Sequence, residues 1–434
     1  MVKQILDLHI HSKYSRACSK RLTLPKIAES ARKRGIDIVS TADFTHPEWF
    51  AHIKENLTQW NPGIYKLKDN KTELKKYKKN TSETKFILGT ELSVIQKHKG
   101  KTRKVHHCVF VPNLETTLKL NRELENRDFN LSSNGRPILG LTSKELLELL
   151  LEVDERIVMI PAHAWTPWFG IFGSKSGYDS LENAFGDLYR HIPAIETGLS
   201  SDPPMNWRCS WLDDITLVSN SDAHSPEKLG REANVLEFSN EEEITFEEIF
   251  RIIEKADRKK FKKTIEFYPE EGKYHYNGHR DCDLRLSPQE VKESGEICPE
   301  CDKKLTLGVM HRVVELGDRS QKETQQVAEE KNFIPYQSLI PLPEILSEVH
   351  DVGVKTKTVN SAYEKMINKL GPEFDILMDF ELKKIAKVAG NRTAEAIRRV
   401  RAEELTIKPG YDGKYGKIKI FSEQENDKQI QLSL

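Results

Sequence analysis

Residues 4–11 read Gln4-Ile5-Leu6-Asp7-Leu8-His9-Ile10-His11, a short apolar run that ends in two histidines two positions apart. On a strand, residues i and i+2 face the same side, so His9 and His11 point together. The pattern recurs through the first half of the chain. Residues 36–40 lead to Asp43 and His46, 86–88 to Glu91, 157–160 to His163, 194–195 to Glu196, and 215–218 to Asp222 and His224. Residues 105–111 form one more apolar run, with His106 and His107 near its start. These runs read as seven short strands, most of which deliver imidazole or carboxylate at the C-terminal end. In a barrel of alternating strands and helices that end builds the active site. Imidazole with carboxylate is a ligand set for zinc, manganese or iron. Buried carboxylates are costly unless paired or metal-bound. The expectation is an α/β chain with a multinuclear metal site inside one barrel. Adjacent strand residues face opposite ways, so one of His106 and His107 faces the site; His106 is preferred, with His107 the alternative.

The remaining composition narrows the class. The chain has 434 residues, net charge zero and a mean hydropathy of -0.59, so any nucleic-acid contact must rest on local patches. No run reaches the ~18 apolar residues of a membrane span, and the N-terminus shows no secretory h-region, which together predict a cytoplasmic protein. Helices are expected at Thr23-Leu24-Pro25 up to Gly35, at 143–151, at 245–256 behind a Thr245/Glu248 capping box, and at 362–370 and 380–400. No internal repeat is evident. Domain limits are expected at 1–256 for the barrel, 257–322 for a metal-binding module, 323–422 for a helical region, and 423–434 for a flexible tail.

The second half carries its own signals. His279-x-x-Cys282 and Cys298-x-x-Cys301 are two ligand pairs, which read as a closed tetrahedral structural zinc site; His275 is a weaker substitute for His279. Trp165, Trp168, Phe169 and Phe172 follow His163 among glycines. They read either as a rim loop for an unstacked base or as a loop anchored in the core. The Lys-rich run at 66–79 is a solvated face or a phosphate contact. Gly390-Asn391-Arg392-Thr393 could present backbone amides to a phosphate.

Asp7-Leu8-His9-Ile10-His11-Ser12, Thr41-Ala42-Asp43, Pro161-Ala162-His163 and Ser221-Asp222-Ala223-His224 resemble the four motifs of the PHP (polymerase and histidinol phosphatase) superfamily. That resemblance implies a distorted seven-stranded barrel, three metal ions and phosphoester hydrolysis. The superfamily has His directly after the Asp of its second motif, where this chain has Phe44; His46 is expected to take that ligand place. Over nearly the whole chain, Tyr14-Ser15-Arg16-Ala17, Asp43-Phe44-Thr45-His46-Pro47, His279-Arg280-Asp281-Cys282, Cys298-Pro299-Glu300-Cys301, His311-Arg312-Val313 and Pro409-Gly410-Tyr411-Asp412-Gly413 resemble the endonuclease Q family of DNA repair nucleases.

The resemblance implies a distorted (β/α)7 PHP barrel followed by a smaller, zinc-containing, mainly helical region. It implies hydrolysis 5′ to deaminated bases (uracil, hypoxanthine, xanthine) and abasic sites in duplex DNA, leaving 3′-hydroxyl and 5′-phosphate. The expected metal ligands are His9, His11, His46, Glu91, His106, His163, Glu196, Asp222 and His224, holding two or three zinc ions that magnesium or manganese could replace. Asp222, His224, His9 and His11 are the expected catalytic residues, and Phe44, Trp165, Trp168 and Phe169 the expected base contacts. The alternative is a PHP-type phosphatase of small phosphomonoesters; a non-catalytic DNA-binding module is disfavoured by the filled ligand positions. A nucleoid-associated monomer is expected. The tail Gln429-Ile430-Gln431-Leu432 begins like a sliding-clamp-binding peptide but lacks its closing aromatic pair.

Overall fold

The computed structural model describes residues 1–68 and 83–422. The run that opens the chain is a strand only in its first part. β1 spans Val2–Asp7. After it, Leu8 N donates to the Asn220 side chain rather than to a neighbouring strand, so the ladder stops before His9 and His11. The following strands are β2 (Ile38–Ser40), β3 (Leu57–Asn61), β4 (Ile64–Leu67), β5 (Lys85–Ile87), β6 (Gly89–His98), β7 (Lys101–Phe110), β8 (Ile138–Leu139) and β9 (Val158–Pro161). After them come β10 (Ala194–Glu196), β11 (Thr216–Val218), β12 (Ala233–Phe238), β13 (Phe261–Glu266), β14 (Asn277–His279), β15 (Leu284–Leu286) and β16 (Tyr336–Ser338). All seven expected runs contain a strand, within a mixed α/β chain.

The strands fall into linked sheets. Eight form the order β16-β13-β12-β1-β2-β5-β4-β3, four form β8-β6-β7-β9, and β10 pairs with β11. Only Leu88 separates β5 from β6, and its carbonyl accepts from Val111 N, so the pair is one bent strand that passes between sheets. Ala164 N donates to Glu196 O, Thr197 N to Val218 O and His11 N to Ala223 O. Hydrogen bonds thus run from β1 through β2, β5–β6, β7, β9, β10 and β11 back to the segment after β1. Candidate ligands follow the C-terminal ends of β1, β2, β9 and β11, Glu196 ends β10, and Glu91 lies near the start of β6, just past the bend. β7 runs antiparallel to β6 and β9, so it brings its ligand from mid-strand.

Helices pack outside this ring. Leu24–Arg34 buries Leu24, Ile27, Ala28 and Ala31, has Pro25 in its first turn, and stops at Gly35, whose φ of 88° is the left-handed region that favours glycine. Ser143–Val153 opens with a complete Thr142/Glu145 capping box. At Phe246–Glu254 only half of the expected box forms: Thr245 Oγ1 accepts from Glu248 N, while the Glu248 carboxylate is taken by Arg251 and Lys260.

Two further expectations are corrected. The boundary at 256/257 falls inside a sheet, because β13 and β16 extend the sheet of β1 past it. The helix expected over 380–400 is two, Leu382–Ala389 and Asn391–Arg401, broken at Gly390 (φ 88°). A repeated arrangement also exists. Leu342–His350 with Lys357–Lys369 and Leu382–Ala389 with Asn391–Arg401 are two helical hairpins. They pack crosswise, the first helix of each against the second of the other. No helix among the described residues is long and apolar enough to cross a membrane. Most of the Lys-rich run at 66–79, and the whole 423–434 segment with its clamp-like peptide, lie outside the described residues.

Candidate active site

Three residues that build the centre have left-handed backbone without being glycine: Asp43 (φ 43°), which stands behind His11, and His163 (φ 32°) and Asp222 (φ 46°), which aim into it. Such conformations cost about 1–3 kcal/mol each and cluster where a site needs a sharp turn at a strand end. The result is a set of converging donors. His9, His11, Glu91 and Asp222 place ligand atoms within 4.8 Å of one another, and Glu91, His106 and His163 form a second such group, so Glu91 is shared. Both Glu91 oxygens are engaged, Oε1 at 2.7 Å from His106 Nδ1 and Oε2 at 3.2 Å from His11 Nε2.

The second nitrogen of several imidazoles is held from behind. His9 Nδ1 lies 3.0 Å from Glu196 Oε2, and His11 Nδ1 lies 3.1 Å from Ser15 Oγ and 3.4 Å from Asp43 Oδ1. His163 Nδ1 lies 2.9 Å from Thr166 Oγ1, whose hydroxyl itself donates to His163 O. His224 Nδ1 lies 2.8 Å from Asp222 O. These contacts set the tautomers and direct His9, His11 and His163 Nε2 to the centre. Glu196 lies on the Nδ1 side of His9, where Glu196, His9 and Cys108 form a third donor group within 4.8 Å of one another. Glu196 also accepts from His163 N and Asn220 Nδ2.

Charge in the centre is unbalanced toward the anionic. Burial works against a proton on His9 and His11, yet Cys108 and the carboxylates Glu196, Glu91 and Asp222 around His9, and Asp222, Asp43 and Glu91 around His11, outweigh it and hold both well above the ordinary imidazole value. Burial alone would raise Glu91 and Asp222. Instead His106 and Arg136 hold Glu91, and His9 and His11 hold Asp222, well below the usual carboxylate range. His9 Nε2 is buried with no hydrogen-bond partner among the described residues. A buried orphan nitrogen among carboxylates is a fit for a divalent cation.

Other expected residues land elsewhere. His46 occupies the N-terminal boundary of the helix Pro47–Asn56 and stacks on Tyr14 at 4.2 Å, outside the converging donor groups, while Asp43 grips His11. His224 sits at the rim, 4.6 Å from the His11 ring. His107 faces away and bonds Ser143 Oγ at 2.9 Å, so His106 is the inward one. Phe44 and Trp165 are fully buried, and Trp165 Nε1 donates to Asn206, so neither ring can stack a base. Trp168 is 48% exposed, and Phe169 stacks on His106 at 4.3 Å. Cys108, beside His9 and Glu196, and Arg136, on Glu91, went unread in the sequence: one looks like a strand's small apolar residue, the other like a loop cation.

Next to the centre lies a cleft of about 500 Å³ lined by Thr166, Pro167, Arg231, Phe267, Tyr274 and Tyr415, among others. Two of these touch the site: Thr166 bonds His163, and Arg231 Nη2 donates to Ser221 O. Trp168 meets Tyr274 edge-on at 6.2 Å.

Farther along the chain, His279, Cys282, Cys298 and Cys301 bring one donor each within 4.8 Å of the others. His279 ends β14, and Asp302 N donates to Cys298 O in a tight sulfur-bearing turn. All six cysteines are free of disulfides. His275 is buried against Tyr276, outside this group.

Comparison with known proteins gives the following. A family model described as MJ0043 C-terminal domain matches residues 341–404, the crosswise hairpins. The uncharacterised protein MJ0043 of Methanocaldococcus jannaschii is 34% identical over 264 residues, which is 59% of this chain; the match spans 31% of that protein's length. A crystal structure of the lesion-specific endonuclease PfuEndoQ from Pyrococcus furiosus superimposes with a TM-score of 0.81 and 33% identity over 99% of this chain and 100% of that one. A structure of endonuclease Q with a 27-mer duplex carrying an abasic lesion superimposes equally well, TM-score 0.81 and 33% identity over 99% of each chain. With that identity sustained from end to end, the chain belongs to the endonuclease Q family.

Proposed function

We propose that the chain is a metal-dependent DNA repair endonuclease that cuts the strand 5′ to deaminated bases (uracil, hypoxanthine, xanthine) and abasic sites, leaving 3′-hydroxyl and 5′-phosphate. The observation that carries the reading is the shared Glu91 between two donor groups, His9/His11/Asp222 and His106/His163. A shared carboxylate between histidine sets is how a protein holds neighbouring cations. Those residues would hold two or three divalent ions, zinc by donor type, at the ends of a distorted PHP barrel, with His224 at its rim. Bound there, the ions supply an activated water and stabilise charge on the attacking and leaving oxygens.

The chain's own residues do the rest. Glu196, Asp43 and Thr166 fix the histidine tautomers. Deamination replaces an exocyclic amino group with a carbonyl, and extruding a mispaired base costs less than extruding a paired one. The aromatic cleft, with Arg231 as a donor, suits the flipped base; a donor set left unpaired against cytosine or adenine would reject them. The His/Cys group would hold a structural zinc. The hairpin helices would meet the duplex backbone near the break at Gly390.

The test uses labelled duplexes with one uracil, hypoxanthine, xanthine or abasic site, with and without chelator, beside a chromogenic phosphomonoester. The expected result is chelator-sensitive nicking 5′ to each lesion, slowed at least about 1,000-fold by Asp222→Ala with duplex binding retained. Hydrolysis of the phosphomonoester alone would establish the phosphatase reading instead.

A further inference from the structure

Asn134-Gly135-Arg136-Pro137 precedes β8 and belongs to none of the motifs above. It is nevertheless built into the site. Gly135 N donates to Tyr14 O at 3.1 Å, Arg16 N donates to Asn134 Oδ1 at 3.0 Å, and Ser93 N donates to Pro137 O at 3.1 Å. A Cβ at position 135 would lie 2.3 Å from Asp43 Oδ2 and 2.5 Å from Ser15 Oγ, so only glycine lets the loop press this close to the His11–Asp43 pair. Pro137 biases the residue before it toward extended backbone.

What this anchored loop delivers is the Arg136 guanidinium. Nη1 sits 2.7 Å from Glu91 Oε2, and the side chain is 22% exposed. Glu91 is the carboxylate shared by both donor groups. Asp222 and Asp43 are near enough to support the Arg136 charge, but Glu91 is its one hydrogen-bond partner among the described residues. A guanidinium has five N–H donors in a planar fork that matches phosphate oxygens. A counter-ion for Glu91 becomes redundant once a divalent cation occupies that carboxylate. A cation poised at the mouth of an anionic metal site does not.

We propose that Arg136 binds the non-bridging oxygens of the scissile phosphate and is a catalytic residue of the hydrolysis. The inference rests on the phosphodiesterase reading above. In phosphoryl transfer, charge is spread over the equatorial oxygens, and fixed donors aimed there lower the barrier.

The test compares wild type, Arg136→Ala and Arg136→Lys in three measurements. Metal content by mass spectrometry should be the same in all three. Inorganic phosphate should bind the metal-loaded variants at least about tenfold more weakly by calorimetry, roughly the loss of one charge-assisted hydrogen bond. Single-turnover nicking of a lesion duplex should slow by about 100- to 1,000-fold in Arg136→Ala and less in Arg136→Lys. On a duplex with a methylphosphonate at the cut position, which lacks the anionic oxygen, wild type and Arg136→Ala should react alike. Equal phosphate binding by all three proteins overturns the proposal. So does metal loss in proportion to the rate loss, which would make Arg136 a support for Glu91. If wild type nicks no lesion duplex, the function reading fails, while the phosphate titration still decides the role of Arg136.

Discussion

Neighbouring histidines at 106 and 107 have opposite fates, and the difference is measurable. His106 meets Glu91 and His163, whereas His107 is sealed against the helix Ser143–Val153, with Ser143 Oγ on its Nε2 and the Phe185 ring beside it. Burial, with His106 next in effect, pushes the His107 imidazole down to about 3, from an ordinary value of 6.5. The unfolded chain therefore takes up the proton first as pH falls. The stability linked to neutral His107 is complete above pH 6.5 and is lost as pH falls toward 3. His107→Gln should flatten the fall in unfolding temperature between pH 6.5 and 4 and leave metal content unchanged; His106→Gln should lose metal. If the two variants behave the other way round by mass spectrometry, the inward histidine has been misassigned. Strand parity alone could say that one histidine faces in. Choosing between them required knowing that Ser143 stands behind His107, and that contact joins residues far apart in the chain.

At the level of elements, the loop after His163 shows how far periodicity reaches. Its aromatic residues divide between core and surface because the loop folds back on itself, Phe172 N to Ala164 O and Tyr178 N to Ile171 O. Trp165 and Phe172 pack on one another at 5.1 Å inside, and Trp168 stays outside beside Tyr274. Sequence spacing gives no sign of such a fold-back, since it follows neither the helical nor the strand period. The strands were legible because each is an apolar run that ends in chemistry; the antiparallel insertion of β7 and the bend at Leu88 were not, because they depend on partners. Trp168→Ala should leave the unfolding temperature near wild type and weaken cleavage at uracil and hypoxanthine more than at an abasic site, where no base needs stacking. Trp165→Ala should instead cost about 3–5 kcal/mol of stability and weaken all substrates together. Equal losses on all lesions in Trp168→Ala, measured under single-turnover conditions, would remove that ring from base recognition.

Across the whole molecule, the sulfur-rich module is laced both to the closing turn of the chain and to the aromatic loop after His163. Tyr276 N donates to Gly410 O, Arg280 N to Asp412 Oδ2, and Thr306 Oγ1 to Asp412 Oδ1, which ties it to the closing Pro409–Gly413 turn. The helix that follows it, Val309–Leu316, sends Arg312 to the carbonyls of Phe172 and Tyr178 in the aromatic loop. Between them lies the cleft with Tyr274 and Tyr415. The ligand pairs of this module were readable from spacing; their structural reach was not, because every one of those bonds joins distant segments. The core under the module is small, Val291, Cys298 and Leu305 with a few partly buried neighbours. So few apolar residues cannot hold it alone, and a bound zinc contributes folding free energy outright. Cys298→Ser should therefore lose one zinc equivalent, lower the unfolding temperature, and reduce cleavage at base lesions while the remaining metal content of the barrel is unchanged. Mass spectrometry of the purified variant decides it. Unchanged zinc with unchanged unfolding would show that the four side chains only pack together. Loss of every metal would show instead that the module and the barrel centre fold as one unit.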